Sequence, residues 1–349
     1  METPFFDPNK SYYENYEEGP FGAFADGKEL GTDKIIPFGI AAGPLLNARF
    51  VKAALEKGFD YVVYKTVRTR EKKANEWPNV VPVKIGGDLS IEQIRNGVVV
   101  QKEYNPSLAI TNSFGNPSYP VEAWQPDMAR SVTYARPGQE VWGMIEGTRW
   151  NTSYDDKKFL EDWVLDARLV QETKVKGIEA NFSCPNERNL LKKLLCYDAK
   201  QSRDIAYAIK NAIGDMPLVA KISYFEQEAE LRELVKELGT IVDGFAAINA
   251  IQAPVRTEDG KQALPGGEWR LISGICGGPV KWAGLEMVQR LAALREEFGM
   301  KYSIVGVGGV LHPEDYHQYR VTGADIVMAC TGAMWNTRLA IDIKKSMKE

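Results

Sequence analysis

Histidine and cysteine are scarce in this chain, with two and four residues among 349. Cys184, Cys196, Cys276 and Cys330 are widely spaced, unlike a disulfide framework or the close-set thiolates of an iron–sulfur cluster. Any such cluster would have to sit in a separate electron-transfer subunit. His312 and His317 have no third ligand candidate at useful spacing, so surface or helix-capping roles are expected, and no metal site. No stretch approaches the ~20 continuous apolar residues of a membrane helix, which argues against an integral membrane segment. Residues 1–22 carry Asp7, Lys10, Glu17 and Glu18 among aromatics, with no apolar core of a secretory signal, and predict a cytoplasmic protein. A net charge of −4, with Lys and Arg spread along the chain, provides no polycation for counterion release. Nucleic acid is therefore not the expected partner; a small molecule is.

What is present is an ordinary globular composition, 44% hydrophobic and 26% charged, with enough apolar surface for a large core. No linker or low-complexity segment divides it, so residues 1–349 are expected to form one domain, with 1–34 an N-terminal extension packing on it. Apolar runs rich in β-branched residues fall at 35–43, 61–67, 140–146, 177–183, 218–223, 244–251, 302–310 and 325–331. Helix-period segments lie between and after them, at 48–57, 121–134, 156–172, 199–213, 226–238, 285–298, 313–321 and 336–347. Eight such β/α pairs predict a (β/α)8 TIM barrel, whose strands are covered on both faces and read as near-continuous apolar runs such as Ile304-Val305-Gly306-Val307. A doubly wound sheet is the alternative. It would carry a Gly-rich dinucleotide fingerprint after its first strand, where this chain has Gly43-Pro44-Leu45-Leu46-Asn47. The connections 69–118 and 252–284 are too long for simple βα loops and follow strand C-terminal ends, so inserted lids or hairpins are expected at the barrel's C-terminal face.

Asn181-Phe182-Ser183-Cys184-Pro185-Asn186 empties from the fourth expected strand into the barrel mouth. Two carboxamides flanking a thiol can donate and accept hydrogen bonds, as recognition of a planar imide ring requires. A thiol acts as a base only as thiolate, which needs nearby cations; Lys65 and Lys221, both ending expected strands, are the candidates. An isolated cysteine is commonly a small buried hydrophobe, and a strand-end lysine can simply reach solvent. The flanking asparagines and the pairing of two lysines at equivalent strand ends favour function. Gly306-Val307-Gly308-Gly309 and Ala329-Cys330-Thr331-Gly332 end the last two strands, where barrels often bind phosphate through exposed backbone amides. The run 68–73 reads as a solvated lid face, and the aromatic segment 5–24 as packing against the barrel.

With these residues the chain resembles the dihydroorotate dehydrogenases, particularly soluble members with a cysteine base. The Asn181–Asn186 motif is the specific part of the match. Its order continues through Gly39-Ile40-Ala41-Ala42-Gly43, Tyr64-Lys65-Thr66, Asn112-Ser113-Phe114-Gly115, Val219-Ala220-Lys221, Ile248-Asn249-Ala250, Val307-Gly308-Gly309 and Cys330-Thr331. The pyrimidine-reducing domain of dihydropyrimidine dehydrogenases shares this architecture and is the nearest competing activity. The resemblance implies an FMN cofactor held by Ala41, Ala42, Gly43, Lys65, Thr66, Asn181, Lys221, Asn249, Gly277, Gly308, Gly309, Cys330 and Thr331. It implies substrate contacts from Lys65, Asn112, Phe114, Gly115, Asn181, Asn186, Asn249 and Ala250, with Cys184 as catalytic base and a homodimeric assembly. Where the family continues N-S-x-G-L-P-N, this chain has Asn116 and Ser118 after Gly115, and Ser273, Cys276 and Trp282 replace the usual Gly, Ser and Pro.

Overall fold

Strands with no polar face need cover on both sides, and the chain supplies it by closing its apolar runs on themselves and laying helices outside. The computed structural model describes residues 4–24, 31, 33–150, 155–184 and 194–347. In chain order the strands are β1 (Phe38–Ile40), β2 (Tyr61–Val67), β3 (Val80–Pro82), β4 (Val98–Val99), β5 (Ile110–Asn112), β6 (Glu140–Ile145), β7 (Ile178–Asn181), β8 (Leu218–Ile222), β9 (Gly244–Ala247), β10 (Ile251–Arg256), β11 (Ile272–Cys276), β12 (Ser303–Val307) and β13 (Ile326–Ala329). Eight of them, β1, β2, β6, β7, β8, β9, β12 and β13, close into a parallel barrel in that order. This is the expected (β/α)8 architecture.

Side-chain alternation along each strand divides the core. Ala41, Val63, Met144, Val219, Ala246, Val305, Val307 and Met328 fill the barrel interior, while Val62, Ile178, Ala220, Phe245 and Ile304 face the helix layer. The helices Asp156–Glu172 and Ala199–Ile213 match their expected bounds at both ends, and Asp155 and Asp198 fix where they start by capping their first turns through side-chain oxygens. The expected terminal helix 336–347 is instead Thr331–Trp335 followed by Leu339–Ser346. Among the described residues no helix is long and apolar enough to cross a membrane.

Each long connection pairs two of its own strands antiparallel, β3 with β5 and β10 with β11, as the expected hairpins would. They combine into one five-stranded sheet, ordered β3-β5-β11-β10-β4, over the C-terminal end of the barrel. Asn112 of β5 pairs with Gly274 of β11. Arg270, buried, ties the two segments together: its guanidinium donates to the backbone oxygens of Glu76 (2.8 Å), Pro78 (3.1 Å) and Ser113 (3.1 Å). At the N-terminus, Phe5 donates its backbone N–H to Met334 (3.1 Å) and packs on Phe50, while Phe6 stacks edge-on against Phe114 at 5.3 Å.

Candidate active site

Barrel strands point alternate side chains inward, so residues ending β1, β2, β6, β7, β8, β12 and β13 share one chamber beneath the five-stranded sheet. The cavity there measures about 1130 Å³, open solvent at its mouth included. Its wall holds Ala41, Ala42, Gly43, Lys65, Thr66, Asn112, Phe114, Asn181, Cys184, Lys221, Asn249, Ala250, Gly277, Gly308, Gly309, Cys330 and Thr331. These are nearly all the residues singled out from the sequence. Gly115 is not on that wall; a Cβ there would come within 2.7 Å of Asn75 Oδ1. Asn186 lies outside the described residues.

The asparagines form one web. Asn181 Nδ2 donates to Glu146 Oε2 at 2.8 Å, and its Oδ1 accepts from Asn249 Nδ2 at 3.3 Å and Ser183 N at 3.3 Å. Asn249 Nδ2 also donates to the backbone oxygen of Ser183 at 3.2 Å. The residue preceding Cys184 is thereby fixed from two strand ends. Across the chamber, Asn112 Nδ2 donates to Cys276 Sγ at 3.0 Å.

Lys65 is buried and donates from Nζ to Asn116 Oδ1 at 3.4 Å. Burial pushes its ammonium down to about 8, and the sulfur of Cys184 is the foremost charge opposing that fall, followed by Glu146. Lys65 and the candidate base share the cavity wall. Lys221 Nζ lies 3.7 Å from Glu179 Oε1 inside the barrel. Burial pushes the two other thiols on the wall up, Cys276 to about 12 and Cys330 to about 11, so both stay neutral at neutral pH.

Room for a phosphate-bearing, flat-ringed cofactor is visible in the wall itself. The loops after β12 and β13 present backbone at Gly308, Gly309, Thr331 and Gly332, beside apolar surfaces of Ala41, Met144, Ile248 and Val307. Gly309 has φ +67°, and a Cβ there would come within 2.6 Å of Lys281 Cβ. Gly277 has φ +90°, and a Cβ would reach 1.9 Å from the Leu108 carbonyl oxygen. Only glycine allows these turns, and the donor set of two lysines, two threonines and several amides suits an anionic, hydrogen-bonding ligand.

Two expectations change. Arg68 is not part of a solvated face: its guanidinium is fully buried and pairs with Glu146. The N-terminal aromatics pack on the barrel, but Phe6 also reaches the cavity wall. Glu146 and Glu179 escaped sequence reading altogether; both occupy barrel strands or their ends, the position that singled out the lysines. His312 stands at the N-terminus of helix Pro313–Thr322, and His317 contacts Ser346 Oγ at 3.0 Å.

The family profile for dihydroorotate dehydrogenase matches residues 27–349. A dihydroorotate dehydrogenase of Dictyostelium discoideum is 31% identical over 368 residues, spanning 98% of this chain and 96% of that protein. A dihydroorotate dehydrogenase (quinone) of Paracidovorax citrulli is 27% identical, spanning 85% and 77% of the two chains. The solved structure of DHODH from Eimeria tenella, in complex with ferulenol, superposes with a TM-score of 0.68 at 16% identity over 89% of this chain and 81% of that one, a likeness of fold. On the profile match and the Dictyostelium relative together, this chain belongs to the dihydroorotate dehydrogenase family.

Proposed function

We propose that the protein oxidises dihydroorotate to orotate in pyrimidine biosynthesis, using FMN in the barrel-mouth cavity and Cys184 as the base. One observation carries this reading: Cys184, Lys65 and the amides of Asn112, Asn181 and Asn249 converge on the same cavity as Lys221 and the glycine loops after β12 and β13.

Bound flavin would supply the acceptor for the hydride leaving C6 of the substrate. The chain's own residues supply the rest. Cys184 takes the proton from C5, and its anion is favoured by the Lys65 ammonium beside it. Asn112, Asn181 and Asn249 orient the planar ring, with Phe114 and Ala250 closing around it. Lys221 would place positive charge beside the ring of the bound cofactor, and Gly308, Gly309, Cys330 and Thr331, which line the same cavity, would hold its phosphate end. The remaining expected cofactor contacts, Ala41, Ala42, Gly43, Thr66 and Gly277, complete the pocket. We read the chain as one working unit, a cytoplasmic homodimer. Family resemblance supports the pairing, and light scattering tests it.

The test is to purify the protein, quantify bound flavin, and titrate its absorbance with orotate and with uracil. Orotate perturbing the spectrum at micromolar concentration, with uracil silent, is the expected result. The reverse preference would assign a dihydropyrimidine substrate, and failure to take up FMN at all would make the barrel a non-catalytic subunit.

A further inference from the structure

Glu146 follows β6 directly and carries a buried carboxylate that the steps above do not use. Its Oε2 accepts from Asn181 Nδ2 at 2.8 Å and also from Asn116 Nδ2. Its Oε1 lies 3.2 Å from the guanidinium of Arg68, with 7% and 0% of the two side chains exposed. Arg68 in turn donates from Nε to the backbone oxygen of Asn116 at 3.0 Å and contacts Thr148 Oγ1. The backbone N–H of Glu146 donates to Asp166 Oδ2 at 3.3 Å. Three neighbouring barrel strands, β2, β6 and β7, and the connection after β5 therefore meet on one carboxylate.

A carboxamide has a donor end and an acceptor end, whereas an ionised carboxylate only accepts. Turning either amide over would set a carbonyl oxygen against the Glu146 carboxylate, so each is held in one of its two flip states. The Oδ1 of Asn116 is left facing Lys65 at 3.4 Å, and that of Asn181 faces Asn249 at 3.3 Å. Both asparagines line the cavity. We propose that Glu146, anchored by Arg68, is a positioning residue for substrate recognition: it locks the amides of Asn116 and Asn181 in one orientation and so makes the site discriminate between ring edges of opposite donor and acceptor order. An imide edge, N–H beside C=O, is the one matched; an amidine edge, ring N beside C–NH2, presents the reverse. The inference rests on the reading of this cavity as the orotate site.

The test compares orotate with its 4-amino analogue, in which the imide edge becomes an amidine, by flavin-absorbance titration of the wild-type holoenzyme, Glu146→Gln and Glu146→Gln/Arg68→Gln. The double variant removes both buried charges together, so no isolated guanidinium complicates folding. Glutamine can accept from one asparagine while setting its own N–H against the donor end of the other, which loosens that amide although Lys65 or the Ser183 N–H still holds its Oδ1. The wild type is expected to prefer orotate, and both variants to lose that preference by tenfold or more, the scale of one misdirected hydrogen bond. KM for dihydroorotate should rise while kcat changes less. A preference ratio unchanged within twofold, even if both affinities fall together, would overturn the proposal and leave Glu146 a structural residue. Failure of the wild type itself to bind orotate would instead overturn the reading beneath it.

Discussion

Lys221 and Glu179 meet inside the barrel on adjacent strands, Nζ 3.7 Å from Oε1, with 3% of each side chain exposed. Burial pushes the Glu179 carboxyl upward, and the Lys221 ammonium is what pulls it back. Lys221 lines the cavity at the barrel mouth, whereas Glu179 lines a second one at the opposite end of the barrel. Removing one partner strands the other away from water. Lys221→Met should therefore cost about 3–5 kcal/mol in denaturant unfolding, the usual penalty for breaking a buried pair. Lys221→Met/Glu179→Leu should recover most of that stability yet still reduce its flavin slowly. Recovery of both together would mean that the lysine serves only the fold.

Cys184, Cys276 and Cys330 share the cavity wall, all three partly exposed, and the reading of Cys184 as the base predicts how their variants differ. Cys184→Ala should keep its yellow colour and fold but lose about 10²–10⁴ in the rate of flavin reduction, the range of a general base. Cys276→Ala removes a thiol pushed up to about 12, which cannot act as a base at neutral pH, and should stay within tenfold of wild type. Stopped-flow reduction by dihydroorotate distinguishes the two. Equal losses in both variants would remove the special role of Cys184.

Lys65 sets a pH dependence. Its ammonium is present below about 8 and is lost as pH rises through that value. Affinity for an anionic ligand should decline above pH 8 in the wild type and be weak and flat in Lys65→Met. The stability of the ligand-free protein moves the other way. The folded value lies below the ordinary 10.5, so between about 8 and 10.5 the unfolded chain binds the extra proton and unfolding free energy rises with pH. Orotate titrations and urea melts from pH 6.5 to 10 check both signs.

Much of this arrangement could be read from the chain because barrel strands are covered on both faces. Runs such as 304–307 call for cover on both faces, and Lys65, two residues after the inward-facing Val63 and near the C-terminal end of β2, shares its face and lines the mouth. The sheet over that mouth was not legible. β5 and β11 are short, and their pairing of Asn112 with Gly274 depends on contacts between distant segments that leave no local pattern. Arg68 was misread for a related reason. It opens a charged run whose later members, Arg70 and Glu71, are exposed, and its burial rests on partners distant in sequence, Glu146 on the neighbouring strand end and Asn116 and Thr148 beside it. That both charges directly follow barrel strands is the signal that could have joined them.

Gly309 tests the cofactor cradle. Its φ of +67° disfavours any side chain, and a Cβ would press on Lys281, so Gly309→Val should cost about 1–3 kcal/mol and lower flavin content. The ratio of flavin to protein absorbance after gel filtration reads this directly. Full flavin content in the variant would place the phosphate elsewhere.

The most direct measurement is anaerobic addition of dihydroorotate to the purified holoenzyme while the flavin absorbance near 450 nm is followed. Stoichiometric bleaching, with orotate recovered in equal amount and the reaction slowed in Cys184→Ala, is the predicted result. An oxidised spectrum that persists after prolonged incubation of fully flavin-loaded protein would contradict it.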